Sequence, residues 1–542
     1  MQSILNKQQL ISAVVLVVAL FIFPTQYLMS QGVKPVQGGF LLQNGSDTLT
    51  IERYTRKGNT LEGRVLVRNQ VPFVYKAAIK NNKAIERISI EVLQRGAPEG
   101  AAPQQEAILV FKGDSIYSIS KKGQNTERDT IKTSTGAMTY HPNLPMLSLL
   151  EQIVIRARTM GGNKVELPVF LLSSKGQTIQ VPVNFSHKDS AHLTLGNVSI
   201  HLKVSEDGKI LSGKTSNGQT IKRLEKIPDA AFATHPPDYS APPGAPYTAE
   251  DVRIQTKAGH VLAGTLTIPK NAVKPVPVVV TITGSSPQDR DHNTPFGGDY
   301  RIFRQLADEL GRNGVAVLRM DDRGVGKSTG NFESATTPER ADDIREGIAF
   351  VKQHKAIDKN RVALVGLSEG GMIAPMIAKT NSTLNGIVIM AGPASTGKDI
   401  LKYQLLNSLD QSKEISQEKK EEAFQQAMKE YTKEAENNPW LRYFLTYDPL
   451  ATAKQVKQVP VLILQGTTDK NVPPGDAKEL EKAFKQAGNK DVTLKMFNNF
   501  NHVFLHDPNG NPKNYQNLKS FEVSPEVLQT IIGWVVDKTN AK

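Results

Sequence analysis

From Val276 to the C-terminus, short apolar runs alternate with helix-like stretches, and few architectures tolerate that alternation. The runs are VPVVVTIT, GVAVLRM, RVALVGL, GIVIMAG, VPVLILQG and DVTLKMF. Strands this continuously apolar are covered on both faces. Helical segments around 300–313, 338–354, 475–486 and 524–538 fall among and after them. Strands alternating with helices imply a doubly wound, mostly parallel sheet, and the right-handed crossover rule leaves few topologies for it.

Upstream the pattern differs. DTLTIERYTR, LEGRVLVRN, AIERISIEVLQ, GQTIQVPVNF and NVSIHLKV alternate apolar with polar residues. Turn signals such as Lys57-Gly58-Asn59, Gly113-Asp114 and Asn217-Gly218 separate such phrases. This predicts a separate all-β domain over 38–226, a barrel or sandwich of antiparallel strands. His187, His192 and His201 fall in it without the carboxylate spacing of a metal site, so no metal is expected. Residues 227–249 carry six prolines and form a linker, because proline disfavours both helix and central strand.

Residues 1–30 are expected to be a targeting segment. Lys7 precedes the apolar run Leu10–Phe23, which Pro24 ends. The run is shorter than the roughly 20 residues of a membrane span, so it predicts a secretory signal or, failing cleavage, an N-terminal anchor. The chain is then expected to work outside the cytoplasm, periplasmic or secreted, with membrane attachment through this segment only. The 542 residues contain no cysteine, which excludes disulfides, thiolate metal sites and a cysteine nucleophile. The net charge of +13 comes without a nucleic-acid-binding motif, and no nucleic-acid partner is expected.

The most informative stretch is Arg361–Gly371, R-V-A-L-V-G-L-S-E-G-G. It predicts a central strand that turns sharply into a helix, with Ser368 on the turn and Gly366 and Gly370 where side chains would clash. A serine there is a poor nucleophile without a base, and the base needs an orienting acid. Asp469 follows the strand VPVLILQG, and His502 follows DVTLKMF. All three lie past the C-terminal ends of strands, where such sheets bind ligands. Asp476 is the rival acid but falls in the next helix, and His506 is a base further from its strand end. An oxyanion hole is expected from the backbone N–H of Glu369 and from the loop G-S-S-P-Q-D-R-D (284–291), at Ser285 first and Ser286 second. Pro287 has no N–H to give.

The segment from Tyr247 onward resembles the α/β-hydrolases, in particular secreted bacterial esterases near the serine-aminopeptidase-like and dienelactone-hydrolase-like branches. The resemblance rests on the G-S-x-P-Q-D-R-D loop, M-D-D-R-G-V-G-K-S, G-L-S-E-G-G, L-Q-G-x-x-D-x-x-V-P and N-H-V-F. That family usually has glycine where this chain has Ser286. The resemblance implies an α/β-hydrolase domain over 250–542 and a carboxylesterase-type reaction through Ser368, His502 and Asp469, with no cofactor. The substrate would be a small-molecule ester, with a peptide or amide as the alternative; a further alternative is a binding protein with a residual hydrolase core, against which the complete set of Ser, Asp and His argues.

Two further features complete the reading. D-D-R-G-V-G-K-S-T (321–329) mimics a phosphate-binding loop, but Asp321 stands where that loop requires glycine. It is expected to be structural, with Asp322 and Arg323 supporting the oxyanion loop at Gln288-Asp289-Arg290. Residues 395–457 form a polar helical insertion, expected to be a cap over the site, with Trp440, Tyr443, Phe444 and Tyr447 as candidates to line an acyl pocket.

Overall fold

The computed structural model describes residues 34–45, 47–67, 72–93, 103–122, 125–141, 144–172, 176–195, 198–227, 237–270, 272–293, 300–409 and 416–540. The expected targeting segment 1–30 and residues 228–236 of the expected linker lie outside them. The chain divides into two units, Met1–His235 and Pro236–Lys542.

Among the described residues of the first unit, fifteen strands form one sheet. One edge is Asn125–Lys132, and the order runs backward through the chain to Val36–Asn44. That strand pairs antiparallel with the last one, Thr220–Leu224, with Gly39 opposite Leu224. The order then continues backward to Lys164–Leu171 and ends on Met138–Tyr140, the parallel partner at the other edge. Tight turns are placed by glycines at positive φ, as at Gly58 (55°) and Gly218 (79°), where a Cβ would strain the backbone.

This unit also carries a helix that the β-pattern did not announce, Leu147–Met160. Its residues from Leu147 to Val154 are all buried, so its polar side chains need partners. Glu151 accepts from Arg223 (2.5 Å) and Ile210 N (2.9 Å), and Gln152 donates to the Lys83 carbonyl (2.9 Å). At the helix start, the Ser148 N–H donates to the carboxylate of buried Glu52 (3.1 Å), which also accepts from the Tyr75 hydroxyl. Burial outweighs these bonds and pushes the Glu52 pKa up to about 7.

The strands of the second unit are numbered separately: β1 (Tyr247–Gln255), β2 (Val261–Pro269), β3 (Val276–Ile282), β4 (Ala316–Met320), β5 (Ile357–Leu367), β6 (Gly386–Met390), β7 (Val461–Gly466) and β8 (Val492–Phe497). They form one sheet in the order β1-β2-β4-β3-β5-β6-β7-β8. β1 and β2 are antiparallel, β2 is antiparallel to β4, and the remaining pairs are parallel. Every residue of β3, β6 and β7 is buried. The helices are α1 (Ile302–Arg312), α2 (Thr337–Gln353), α3 (Glu369–Ala378), α4 (Gly397–Leu409), α5 (Gln417–Ala435), α6 (Pro439–Thr446), α7 (Pro449–Ala453), α8 (Asp476–Gln486) and α9 (Pro525–Asn540). Apolar side chains of α2, α3 and α8 pack into one core with the sheet, and those of α1 and α9 into another. Helices α4–α7 occupy the connection between β6 and β7, within the expected cap, of which 410–415 lie outside the described residues.

Candidate active site

β5 ends at Leu367 and α3 begins at Glu369, leaving Ser368 alone to make the turn. Its φ is 59° and its ψ −117°, a region L-residues avoid and pay for in strain. The two glycines are there for space. A Cβ on Gly366 would come within 2.1 Å of the Gly370 carbonyl oxygen, and one on Gly370 within 2.3 Å of the Ile282 carbonyl oxygen.

Asp469 lies on the loop after β7 and is fully buried. Its Oδ1 accepts from the N–H groups of Asn471 (2.7 Å) and Val472 (2.9 Å). Its Oδ2 accepts from Gln465 Nε2 (2.9 Å) and lies 2.8 Å from Nδ1 of His502, which it fixes as the protonated nitrogen. His502 sits past β8 on a loop braced by the Asn501 side chain, which accepts from Val503 N and Leu505 N. The Tyr300 hydroxyl holds the Val503 carbonyl (2.8 Å). The arrangement leaves Nε2 of His502 as the ring's proton acceptor. The rivals are placed elsewhere: Asp476 binds the N–H groups of Ala394 and Ser395 (both 2.8 Å), and His506 is exposed, its ring edge-on to that of Phe500.

The loop after β3 approaches the serine closely, since a Cβ on Gly284 would lie 3.5 Å from that of Ser368. Gln288 folds back beneath this loop, accepting from Gly284 N (3.0 Å) and donating to Ser286 Oγ (2.9 Å). Asp322 ties both ends down by accepting from Thr283 Oγ1 (2.6 Å) and Gln288 N (2.9 Å). Burial pushes the Asp322 pKa up to about 8. Arg340 reaches the Ser285 carbonyl (3.4 Å).

Arg323 departs from the expectation. It does not hold Gln288-Asp289-Arg290 but grips Asp343 of α2 (2.6 and 2.8 Å) and the Glu339 carbonyl (2.7 Å). The reason is geometric: once α2 is packed, its carboxylate offers the guanidinium two charge-assisted bonds. Arg290 is held instead by Asp321 (3.0 and 2.7 Å), and its guanidinium stacks on the ring of Tyr239 at 4.2 Å. Asp321 also accepts from Lys327 N (3.2 Å), so the G-K-S turn closes on a carboxylate where a phosphate loop would cradle its ligand.

Three features escaped the sequence reading. The Glu369 side chain is buried and accepts from Arg340 (2.8 Å), Thr337 Oγ1 (2.5 Å) and the indole N–H of Trp440 on α6 (2.9 Å). His292 is also buried, and burial first, then the charge of His502, pushes its pKa down to about 3. The third is the attachment of α4 to the Asp469 loop: Tyr403 Oη donates to the Asp469 carbonyl (2.7 Å), Gln404 Nε2 to that of Asn471 (3.0 Å) and Asn407 Nδ2 to that of Lys470 (3.3 Å). No local sequence signal marks any of these. Of the expected pocket aromatics, Phe444 is stacked on Trp440 and buried in an apolar cluster that includes Met372 of α3 and Val472 as well as cap residues, and the Tyr447 hydroxyl is spent on Thr452. Among the described residues no group of three or more His, Asp and Glu side chains is placed to hold a metal ion.

The strand order, the two antiparallel strands at one edge and the helical insertion after β6 decide the fold. This unit has the α/β-hydrolase fold. Residues 296–509 match the family model of the serine aminopeptidases, S33. Among solved structures, an esterase from Pyrococcus furiosus is 17% identical, with 57% of this chain and 98% of that one covered and a TM-score of 0.39. Est1E from Butyrivibrio proteoclasticus with ferulic acid bound is 18% identical over 49% and 96% of the two chains, with a TM-score of 0.36. A putative dienelactone hydrolase from Klebsiella pneumoniae is 16% identical over 53% and 98%, with a TM-score of 0.35. No curated protein matches the chain.

Proposed function

We propose that this α/β-hydrolase is an extracytoplasmic serine hydrolase that cleaves carboxylic esters. The observation that carries the reading is the pair His502–Asp469: a fully buried carboxylate, held by two backbone N–H groups, sits 2.8 Å from Nδ1 of the histidine. That leaves Nε2 to act as a base at the same edge of the sheet as the strained Ser368.

In the proposed reaction, Ser368 Oγ attacks the ester carbonyl while His502 Nε2 takes its proton. The C–O electron pair moves onto the carbonyl oxygen, and the Glu369 N–H with the Ser285–Ser286 backbone stabilises it. Collapse expels the alcohol, which receives the proton from His502. Water, deprotonated by His502, then attacks the acyl-enzyme, and the carboxylic acid leaves with Ser368 restored. Asp469 orients the imidazole and stabilises its charged form. The extracytoplasmic assignment rests on the apolar N-terminal run, as signal or anchor.

The family match favours one second reading, a serine aminopeptidase. Such an enzyme needs a carboxylate to bind the substrate's free amine. Glu369 stands nearest in sequence, but its oxygens are engaged by Arg340, Thr337 and Trp440, and this supports the ester reading. The deciding test is hydrolysis of an aryl-ester series against aminoacyl-anilides by wild type and Ser368→Ala. Ester turnover abolished in the variant supports the proposal. Faster anilide turnover, also abolished, selects the peptidase, and ester turnover surviving in Ser368→Ala overturns the serine mechanism.

A further inference from the structure

The cap of an enzyme like this is ordinarily pictured as a cover that lifts. The contacts of α4 describe something else. Three side chains, Tyr403, Gln404 and Asn407, project from two adjacent turns and donate to three consecutive carbonyls, those of Asp469, Asn471 and Lys470 respectively. The target is the loop that carries the proposed catalytic acid. The same loop is held from the other side by its own carboxylate, which takes the N–H groups of Asn471 and Val472. Val472 is buried in the cap's apolar cluster with Ile400, Leu441 and Phe444. The root of the cap is fixed too, because Asp476 of α8 takes the N–H groups of Ala394 and Ser395 and the Ser395 hydroxyl (all 2.8 Å).

We infer that α4 is a clamp that sets the position of Asp469, and that Tyr403, Gln404 and Asn407 are positioning residues for the His502–Asp469 pair. The inference rests on the reading of Asp469 as the orienting acid. The physical reason is that Asp469 lies on a loop, where the backbone by itself has freedom to move. A carboxylate orients an imidazole only if its own backbone is fixed, and small displacements of a positioned group are costly in rate. Three donors on one rigid helix, each spent on a different peptide of the loop, remove that freedom. The clamp also restricts how substrate gets in. Lifting α4 would break the bonds that hold the acid, so access must come by movement elsewhere in the insertion.

The test is a set of variants that keep volume and remove donors: Tyr403→Phe, Gln404→Met and Asn407→Leu, singly and together. Steady-state kinetics on a short aryl ester and the downfield proton resonance of the His502–Asp469 hydrogen bond are read for each. The expected result for the triple variant is kcat lowered at least tenfold, KM within about threefold, and a broadened or lost resonance. Lys402→Met serves as the control. It breaks the Lys402–Glu421 ion pair inside the cap (3.2 Å) and is expected to change neither readout.

Wild-type kcat and an intact resonance in the folded triple variant overturn the inference. So does an equal loss in Lys402→Met, which would make the effect one of general cap stability. If the triple variant does not fold, Tyr403→Phe decides alone, expected to lower kcat severalfold with the resonance broadened. A Ser368→Ala enzyme as active as wild type would instead bring down the proposed mechanism, whatever the clamp variants do.

Discussion

Trp440 donates its indole N–H to the carboxylate of Glu369 across 2.9 Å, which ties a cap helix to the residue that follows Ser368. Arg340 supplies the charge that lets this carboxylate stay buried. Removing one partner of such a pair strands the other, at a cost of about 3–5 kcal/mol. Glu369→Gln and Arg340→Met are each expected to lower stability by a large part of that. The double variant should recover most of the loss, and denaturant melts of the four proteins measure the coupling. Additive losses would show that the two groups do not depend on each other.

The nucleophile assignment makes the sharpest prediction. Ser368→Ala should lose several powers of ten in kcat, since members of such a unit fail together, and a fluorophosphonate probe should label wild type at Ser368 alone. Labelling of another serine would refute the assignment. Ester turnover is expected to survive exhaustive chelation, with activity after EDTA treatment as the measurement.

Asp322 holds the loop that faces the serine, through Thr283 and Gln288. Asp322→Ala frees both ends of that loop. If the loop supplies an oxyanion donor, kcat should fall by about 10²-fold, the scale of losing one such donor, while KM moves little. A raised KM with unchanged kcat would place the loop in ground-state binding instead.

Glu52 predicts a pH dependence for the β-rich unit. Its folded pKa, about 7, lies above its ordinary value of 4.5, so the folded state holds the proton more tightly than the unfolded chain. The stabilisation is therefore complete below pH 4.5 and is lost as pH rises to about 7. Linkage puts it at about 3 kcal/mol. Against a Glu52→Gln reference, wild type should lose stability between pH 5 and 8, read by denaturant midpoints. A difference that does not change with pH would mean that Glu52 titrates alike in both states.

Tyr239 predicts where the catalytic unit begins. Its hydroxyl donates to Asp289 (3.2 Å), and its ring carries the Arg290 guanidinium. A fragment starting at Pro237 keeps both contacts, and its kcat on a short ester should stay within tenfold of the full chain, about 1.4 kcal/mol in barrier. One starting at Ala241 lacks them and should melt lower. Equal melting of the two fragments would show that Tyr239 contributes nothing.

What the sequence disclosed about this molecule was local. Ser368, Asp469 and His502 sit at strand ends because apolar runs mark strands and the next polar residues mark their ends, so their places were legible. Gly366 was legible for a steric reason that operates within five residues, its contact with Gly370, whereas Gly370 also makes room for the Ile282 carbonyl of a neighbouring strand. The partners of Glu369 were not, because Trp440 lies 71 positions away and nothing in its neighbourhood names the carboxylate it meets. Arg323 was assigned to the wrong carboxylate for the same reason, since Asp343 reaches it only once α2 has packed. The helix Leu147–Met160 hid differently. Its Glu151 and Gln152 are buried against partners in the surrounding sheet, so its sequence lacks the polar stripe of an exposed amphipathic helix.

The pairing of the first and last strands of the β-rich unit has a mechanical consequence. Gly39 lies opposite Leu224, and the two strands run antiparallel about 5 Å apart. Whatever precedes Val36 and whatever follows Leu224 therefore leave the unit through the same doorway. Fifteen strands add almost no length between them. If the segment before Val36 is held at a membrane, the unit hangs from the chain as a pendant, and the chain leaves it at Leu224 from the end at which it entered.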